Sequence, residues 1–368
     1  MIHKLTTATP YTELFGPFDE NDTSRHSFAA VNGAGGFRCY FDEIFGKSAV
    51  DRLYLLGGGP GSGKSTLLKK AAKRGMQRGE KVEQIHCSSS PFSLDGVLFP
   101  ERRTALIDAT PPHMVAPYAA GVREITVDLG RAWDIAALSE RRDEIFALTD
   151  RKKREYRKAY LYLHAANLLK NEADSLTSSY ILWEKLEKNL SSISEKSIPS
   201  GRFFVPETRI ARSAGAAGSV YLETFRREAK FTYKITDYRG TGSLYFAGLF
   251  ARAKKKNAHV FVSYAPETEG EIDGLFFPES GVYFTAYGSS FDKNINGERF
   301  FDKKAGSEIT QKLRFTYRSR ASLLSEAYFS LAKAGLYHDR IEELYHPCTD
   351  FSVTEEIGEK LLRQVFAK

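Results

Sequence analysis

DRLYLLGGGPGSGKSTLLKK, residues 51–70, decides how the rest of the chain is read. Its first residues are a short apolar run of strand type, a glycine-rich turn follows over 57–63, and a helical pattern opens at Lys64. Residues 58–65, GGPGSGKS, match GxxxxGK[ST] with a strand before and a helix after, the context the motif requires. Glycines let successive backbone N–H groups turn inward around phosphates, in conformations that a Cβ obstructs. The helix N-terminus adds partial positive charge. Gly59, Pro60, Gly61, Ser62, Gly63, Lys64, Ser65 and Thr66 are therefore expected to cradle a nucleotide. Lys64 is expected on the β- and γ-phosphates, and the Ser65 hydroxyl on Mg2+, a hard cation that prefers oxygen.

A magnesium site of this kind takes a carboxylate from a neighbouring strand end. RRTALIDAT, residues 102–110, supplies an apolar strand closing on Asp108, the expected second Mg2+ ligand. Beyond it runs a proline-rich stretch, residues 109–122, whose His113, with Arg123 just after it, is either a phosphate or substrate contact or part of a stiffened surface loop. VEQIHCSSSPF, residues 82–92, is another strand and a serine-rich turn, opening at the carboxyl edge of a parallel sheet where ligands bind. His86 reads there as a packed strand residue. No NKxD run reads guanine, no LSGGQ is present, and no glutamate follows Asp108 to orient water.

The chain also matches itself. SLDGVLFPE, residues 93–101, returns as EIDGLFFPE, 271–279, and AYLYLHAANLLKNEADSL, 159–176, returns as AYFSLAKAGLYHDRIEEL, 327–344. YRGTGSLYFAGLFARAKKK, 238–256, returns the glycine loop and helix without its lysine. Taken at a separation of 179 residues, Lys64, Ser65 and Thr66 fall opposite Ser243, Leu244 and Tyr245, and Asp108 falls opposite Ala286 at 178. All phosphate and Mg2+ contacts are then lost together, whereas the Asp-Gly box and the helix stripe persist as architecture: a tight turn, a loop-fixing carboxylate and a packed face. The expected division is 25–190 and 205–368, with residues 191–204, serine-rich, as linker.

Length and composition agree with an ordinary two-domain globular chain: 368 residues, 42% hydrophobic and 27% charged. Cys39, Cys87 and Cys348 are too scattered for a disulfide framework or a zinc knuckle. The start of the chain lacks a basic segment followed by an apolar run, and no run of about 18 apolar residues occurs, so a cytoplasmic protein without a membrane span is expected. A net charge of +7 permits an anionic partner. Arg151, Lys152, Lys153, Arg154, Arg157 and Lys158 crowd one long helix expected over about 139–176. They read as a solvated face, since no nucleic-acid-binding motif accompanies them, and nucleic acid stays an unsupported partner.

GGPGSGKSTLLKK, HCSSSPFSLDGVLFPE, ALIDATPPHMVAPYAAG and LGRAWD together resemble an uncharacterised bacterial family of duplicated, tandem P-loop ATPase-like proteins over nearly the whole chain. The resemblance implies an α/β fold of two tandem P-loop NTPase-like parallel-sheet modules with added helices, related by internal duplication, and ATP as ligand. One departure is that both halves of that family usually keep a phosphate loop, whereas the second here reads RGTGSLY. The expected function is a Mg-dependent ATPase with one working N-terminal site. Phosphoryl transfer to a small molecule or nucleotide and a non-catalytic, nucleotide-responsive scaffold with a protein partner stand as alternatives.

Overall fold

The structure, a computed structural model, describes residues 8–367. It is an α/β fold built on two six-stranded sheets. The first contains β1 (Arg25–Phe28), β2 (Arg52–Gly57), β3 (Glu83–His86), β4 (Leu94–Phe99), β5 (Thr104–Asp108) and β6 (Glu124–Asp128). The second contains β7 (Val205–Thr208), β8 (Phe231–Thr236), β9 (His259–Tyr264), β10 (Ile272–Phe277), β11 (Val282–Thr285) and β12 (Lys293–Asn296). Spatial order is β1-β3-β4-β5-β2-β6 in one and β7-β9-β10-β11-β8-β12 in the other, the same order position for position.

The sheets are mixed, which corrects the expectation of parallel ones. β4 and β10 run antiparallel to both neighbours while every other pairing is parallel. The connections into and out of β4, residues 87–93 and 100–103, are too short for the dozen or so residues a parallel crossover needs. The Asp-Gly box is therefore a strand rather than a turn. Gly96 and Gly274 sit where a Cβ would press at 3.2 Å on Phe45 and on Ser263 respectively. Because β4 is reversed, its first residues, Asp95 among them, lie at the same edge as the last residues of β2, β3 and β5.

α1 (Lys64–Gln77) follows β2, and α2 (Arg142–Thr177) and α3 (Trp183–Ser197) follow β6; α4 (Thr241–Lys255), α5 (Thr310–Tyr345) and α6 (Phe351–Val365) take the same places in the second half. α2 and α5 each have 36 residues, so each reaches about 54 Å. They pack along each other through Ala159, Leu163 and Ala166 against Leu324, Ala327 and Leu331. Lys152 meets His338 and Glu172 meets Lys312, so the two run antiparallel. The repeated stripe thus buries itself against its own counterpart.

At the far end of each long helix the chain crosses to the other sheet. α3 places Leu186, Leu190 and Ile193 in the core of the second sheet with Phe246 and Leu249 of α4. α6 places Leu361, Leu362 and Val365 in the core of the first sheet with Leu67 and Leu68 of α1. Single bridges mark the two crossings, Trp133 to Thr349 and Ile181 to Phe301. Residues 191–197, expected as linker, are therefore the last turns of α3, and the boundary at 190 cuts through a packed helix. The serines misled: Ser194 and Ser197 are buried, and the i, i+4, i+7 spacing of Leu186, Leu190 and Ile193 makes an amphipathic helix. Among the described residues no helix is long and apolar enough to cross a membrane.

Candidate functional site

β2 delivers its chain end one strand in from the edge of the first sheet, between β5 and β6. Gly58, Gly61 and Gly63 then adopt φ of 129°, 69° and 85°, a region that L side chains avoid. α1 starts at Lys64 with no side-chain cap on its N-terminus, so its first N–H groups are available to an anion. Its buried residues Leu67, Leu68, Ala71, Ala72 and Gly75 pack it against β4 and β5 and fix where that terminus points.

Lys64 is buried and curls back, donating from Nζ to the carbonyls of Gly58 at 2.7 Å and Gly59 at 2.8 Å. Asp108 ends β5 opposite Leu56 of β2 and stands 3.6 Å from the same ammonium. Burial raises the Asp108 carboxyl above the ordinary range, while the Lys64 charge and the Thr110 hydroxyl and N–H, at 2.6 and 2.8 Å, pull it back. Ser65 accepts a hydrogen bond from the Leu94 N–H at 3.0 Å, which keeps its hydroxyl at the strand edge. Ser62 is buried with its Oγ 3.5 Å from Lys64, Pro60 is half-buried, and Thr66 is exposed. The loop, Lys64, Ser65 and Asp108 are thus brought together; the Thr66 side chain faces outward.

Of the remaining candidates, His113 turns inward. Its Nε2 is 3.1 Å from Asp95 and its ring stacks on Phe41. Burial disfavours the charged ring, yet Asp95, aided by the Cys39 and Cys87 thiols, holds its pKa well above 6.5. Arg123 lies at the opposite edge of the sheet, donating to the Val50 carbonyl at 3.0 Å and to Phe45 and Glu124, so it has no part in the site. It precedes β6, and the start of a parallel strand faces away from the ligand edge. His86 is packed as expected, 2.8 Å from His26, and burial lowers its pKa to about 3.

Over the loop hang the two long helices. The Gly61 N–H donates to Glu342 of α5 at 3.3 Å. His338, one turn earlier, lies 3.5 Å from Glu342 and 3.4 Å from Lys152 of α2. Burial, then the Lys152 charge, lowers the His338 pKa to about 4, so its ring is neutral at pH 7. Gly59 packs so closely under Trp133 and Tyr345 that a Cβ there would approach them to 3.0 and 3.3 Å. Lys152 is the exception in its basic run, whose other five members are exposed. Sequence reading missed Lys152, His338 and Glu342 as a group. Their one signal is that residues 168 away, Arg320, Lys170 and Asp174, are ionisable too.

The second loop corrects one alignment. α1 buries Leu67, Leu68, Ala71 and Gly75, and α4 buries Tyr245, Phe246, Leu249 and Ala253, each 178 positions on. Lys64 therefore stands opposite Gly242, and Ser65 opposite Ser243, so the hydroxyl persists while the lysine and Asp108 are replaced. The loop is one residue shorter, since β2 and β8 align at 179. Asp237, where the first loop has Gly58, folds its carboxylate into the turn and accepts from the N–H groups of Gly242 at 2.7 Å and Gly240 at 3.3 Å. The chain's own carboxylate thus occupies the N–H groups at the start of α4.

Comparison with protein-family models, with curated proteins and with solved structures gives no match to this chain.

Proposed function

We propose that this chain is a P-loop nucleotide-binding protein with one working site for Mg-ATP, formed by residues 58–65 and Asp108. The observation that carries the reading is the meeting of Lys64 with Asp108 at 3.6 Å inside a loop of three left-handed glycines at an uncapped helix N-terminus. The first N–H groups of α1 have no side-chain cap and are open to an anion, and the Lys64 ammonium, now spent on two loop carbonyls, can swing to a phosphate. Mg2+ fits the donor set: one hydroxyl and one carboxylate, both hard oxygens, are what it takes from protein when phosphates and waters supply the rest. When bound, the ion would neutralise charge developing on the transferred phosphoryl group. Asp108, its carboxyl raised by burial, would regain a cationic partner.

The finer architecture belongs to the same proposal. Equal strand order, two 36-residue helices and matched crossings support two P-loop modules related by duplication, with the second module's phosphate cradle closed by Asp237. Hydrolysis is the first reading. Transfer to a small acceptor is the second, favoured by Lys152 and Glu342, a cation and a carboxylate that the two long helices bring together over the loop and that can hold an incoming hydroxyl. Calorimetry of Mg-ATP with wild type and Lys64→Ala tests the site: wild type binds and the variant does not. Phosphate release with and without a panel of metabolites separates hydrolysis from transfer.

A further inference from the structure

At the carboxyl edge of the second sheet, directly behind the shortened loop, lies a cavity of about 220 Å3. It occupies the place that Lys64 and Asp108 fill in the first half, since Gly242 and Ala286 stand at those positions and both line it. Lost side-chain volume alone would leave an apolar hole, but this cavity has gained charge. Glu267 and Glu271 replace Ser89 and Ser93, 178 residues earlier, and Arg320 and Lys170 replace Lys152 and His338 on the long helices.

Most of that charge is committed. Arg212 is held by Glu267 at 2.6 Å and Asp273 at 3.0 Å, and Asp237 is spent on the loop N–H groups. Lys170 sits 2.6 Å from Asp174. Two groups keep unused capacity. Arg320 has no ion pair or hydrogen bond among the described residues, and its Nε is buried without a partner. Glu271 has the 3.6 Å approach of Lys170 and the neutral Thr268 hydroxyl, and no closer cation among the described residues. Burial raises its carboxyl above the ordinary range, an imbalance that a second cation would relieve.

We infer that this cavity binds a small zwitterion of the amino-acid class, its carboxylate on Arg320, its ammonium on Glu271, and its side chain against Ile235, Phe246 and Leu324. Size argues against a nucleotide, since about 220 Å3 lies below the ~300–1,000 Å3 of pockets for larger ligands. Charge disfavours a phosphate. Four carboxylates against three cations line the wall, and the helix terminus that would attract an anion is already filled by Asp237. A guanidinium fork reads a carboxylate through two parallel hydrogen bonds, and Glu271 in the same lining calls for a positive group on the ligand as well. The inference stands apart from nucleotide binding at the first loop.

The test is a thermal-shift screen of the full-length protein against each proteinogenic amino acid, with acetate, ethylamine and inorganic phosphate as single-charge probes, followed by calorimetry of each hit. At least one amino acid should bind saturably while the three probes do not. Arg320→Gln and Glu271→Gln should each weaken that binding by about tenfold or more, and Lys64→Ala should leave it unchanged. Ala286→Leu, which adds side-chain volume to the cavity lining, should abolish it, and carries the test if Arg320→Gln does not fold. Absence of any amino-acid binding, binding of phosphate alone, or affinity unchanged by the cavity variants would overturn the inference.

Discussion

At the scale of single residues, Glu342 and His113 carry charges whose removal is read in different quantities, nucleotide affinity for one and the pH dependence of stability for the other. Glu342 accepts from the Gly61 N–H, so it occupies part of the space and field that a phosphate would use. Glu342→Gln keeps the shape and removes the like charge; we expect Mg-ATP to bind several-fold tighter by calorimetry, since a charged hydrogen-bond competitor is worth ~1.5–3 kcal/mol before solvent screening of this half-exposed side chain. His113 faces Asp95 and has a raised pKa. A raised histidine pKa gives stability that is complete below its unfolded value of 6.5 and is lost progressively as pH climbs toward the folded value. Urea unfolding at about pH 7 and about pH 9 should show wild type losing up to ~1.4 kcal/mol per pH unit more than His113→Gln. A parallel pH dependence in the two proteins would mean that the pair does not titrate this way.

At the scale of elements, α1 is positioned by contact rather than by propensity. Gly75 is a poor helix former, and alanine there would gain about 1 kcal/mol of propensity. A Cβ at that position would lie 2.4 Å from the Phe99 ring and 3.0 Å from Val82, and overpacking of this kind costs ~1–3 kcal/mol. Gly75→Ala should therefore lower the thermal midpoint, and a rise would show that Phe99 yields freely. The glycine loop, β2, α1 and Asp108 were legible because their pattern is local: strand, turn and helix within twenty-odd residues, then an apolar run closing on a carboxylate. β4 was misread as a turn because Asp-Gly commonly marks one, whereas here Gly96 lets strands approach. Lys152, His338 and Glu342 were illegible for another reason: two helices must first pack before their side chains meet over Gly61, and no spacing along either helix records that.

At the scale of the whole molecule, each sheet is completed by a helix from the other half. Arg74 of α1 is held by Glu359 of α6 at 3.1 Å, and Gly248 of α4 leaves room for Leu190 of α3, which a Cβ would meet at 2.5 Å. The β1 end adds a reciprocal tie: Phe28 and Ile210 exchange both backbone hydrogen bonds, at 2.7 and 3.3 Å. Chains ending near residue 200 or starting near it should not fold alone, because each leaves an apolar sheet face uncovered. Mixed together they should assemble, with helical circular dichroism and one elution peak as the readout. Two separately folded halves would contradict the crossing. The crossing also sets a clock on the ribosome. Lys70 of α1 must wait for Glu355, 285 positions downstream, and at synthesis rates of ~5–20 residues per second that is roughly 15–60 s. During that interval α1 already has β4 and β5 beneath it, but the surface around Leu67 that Gly358 and Leu361 of α6 close over stays open to water until the last turns emerge.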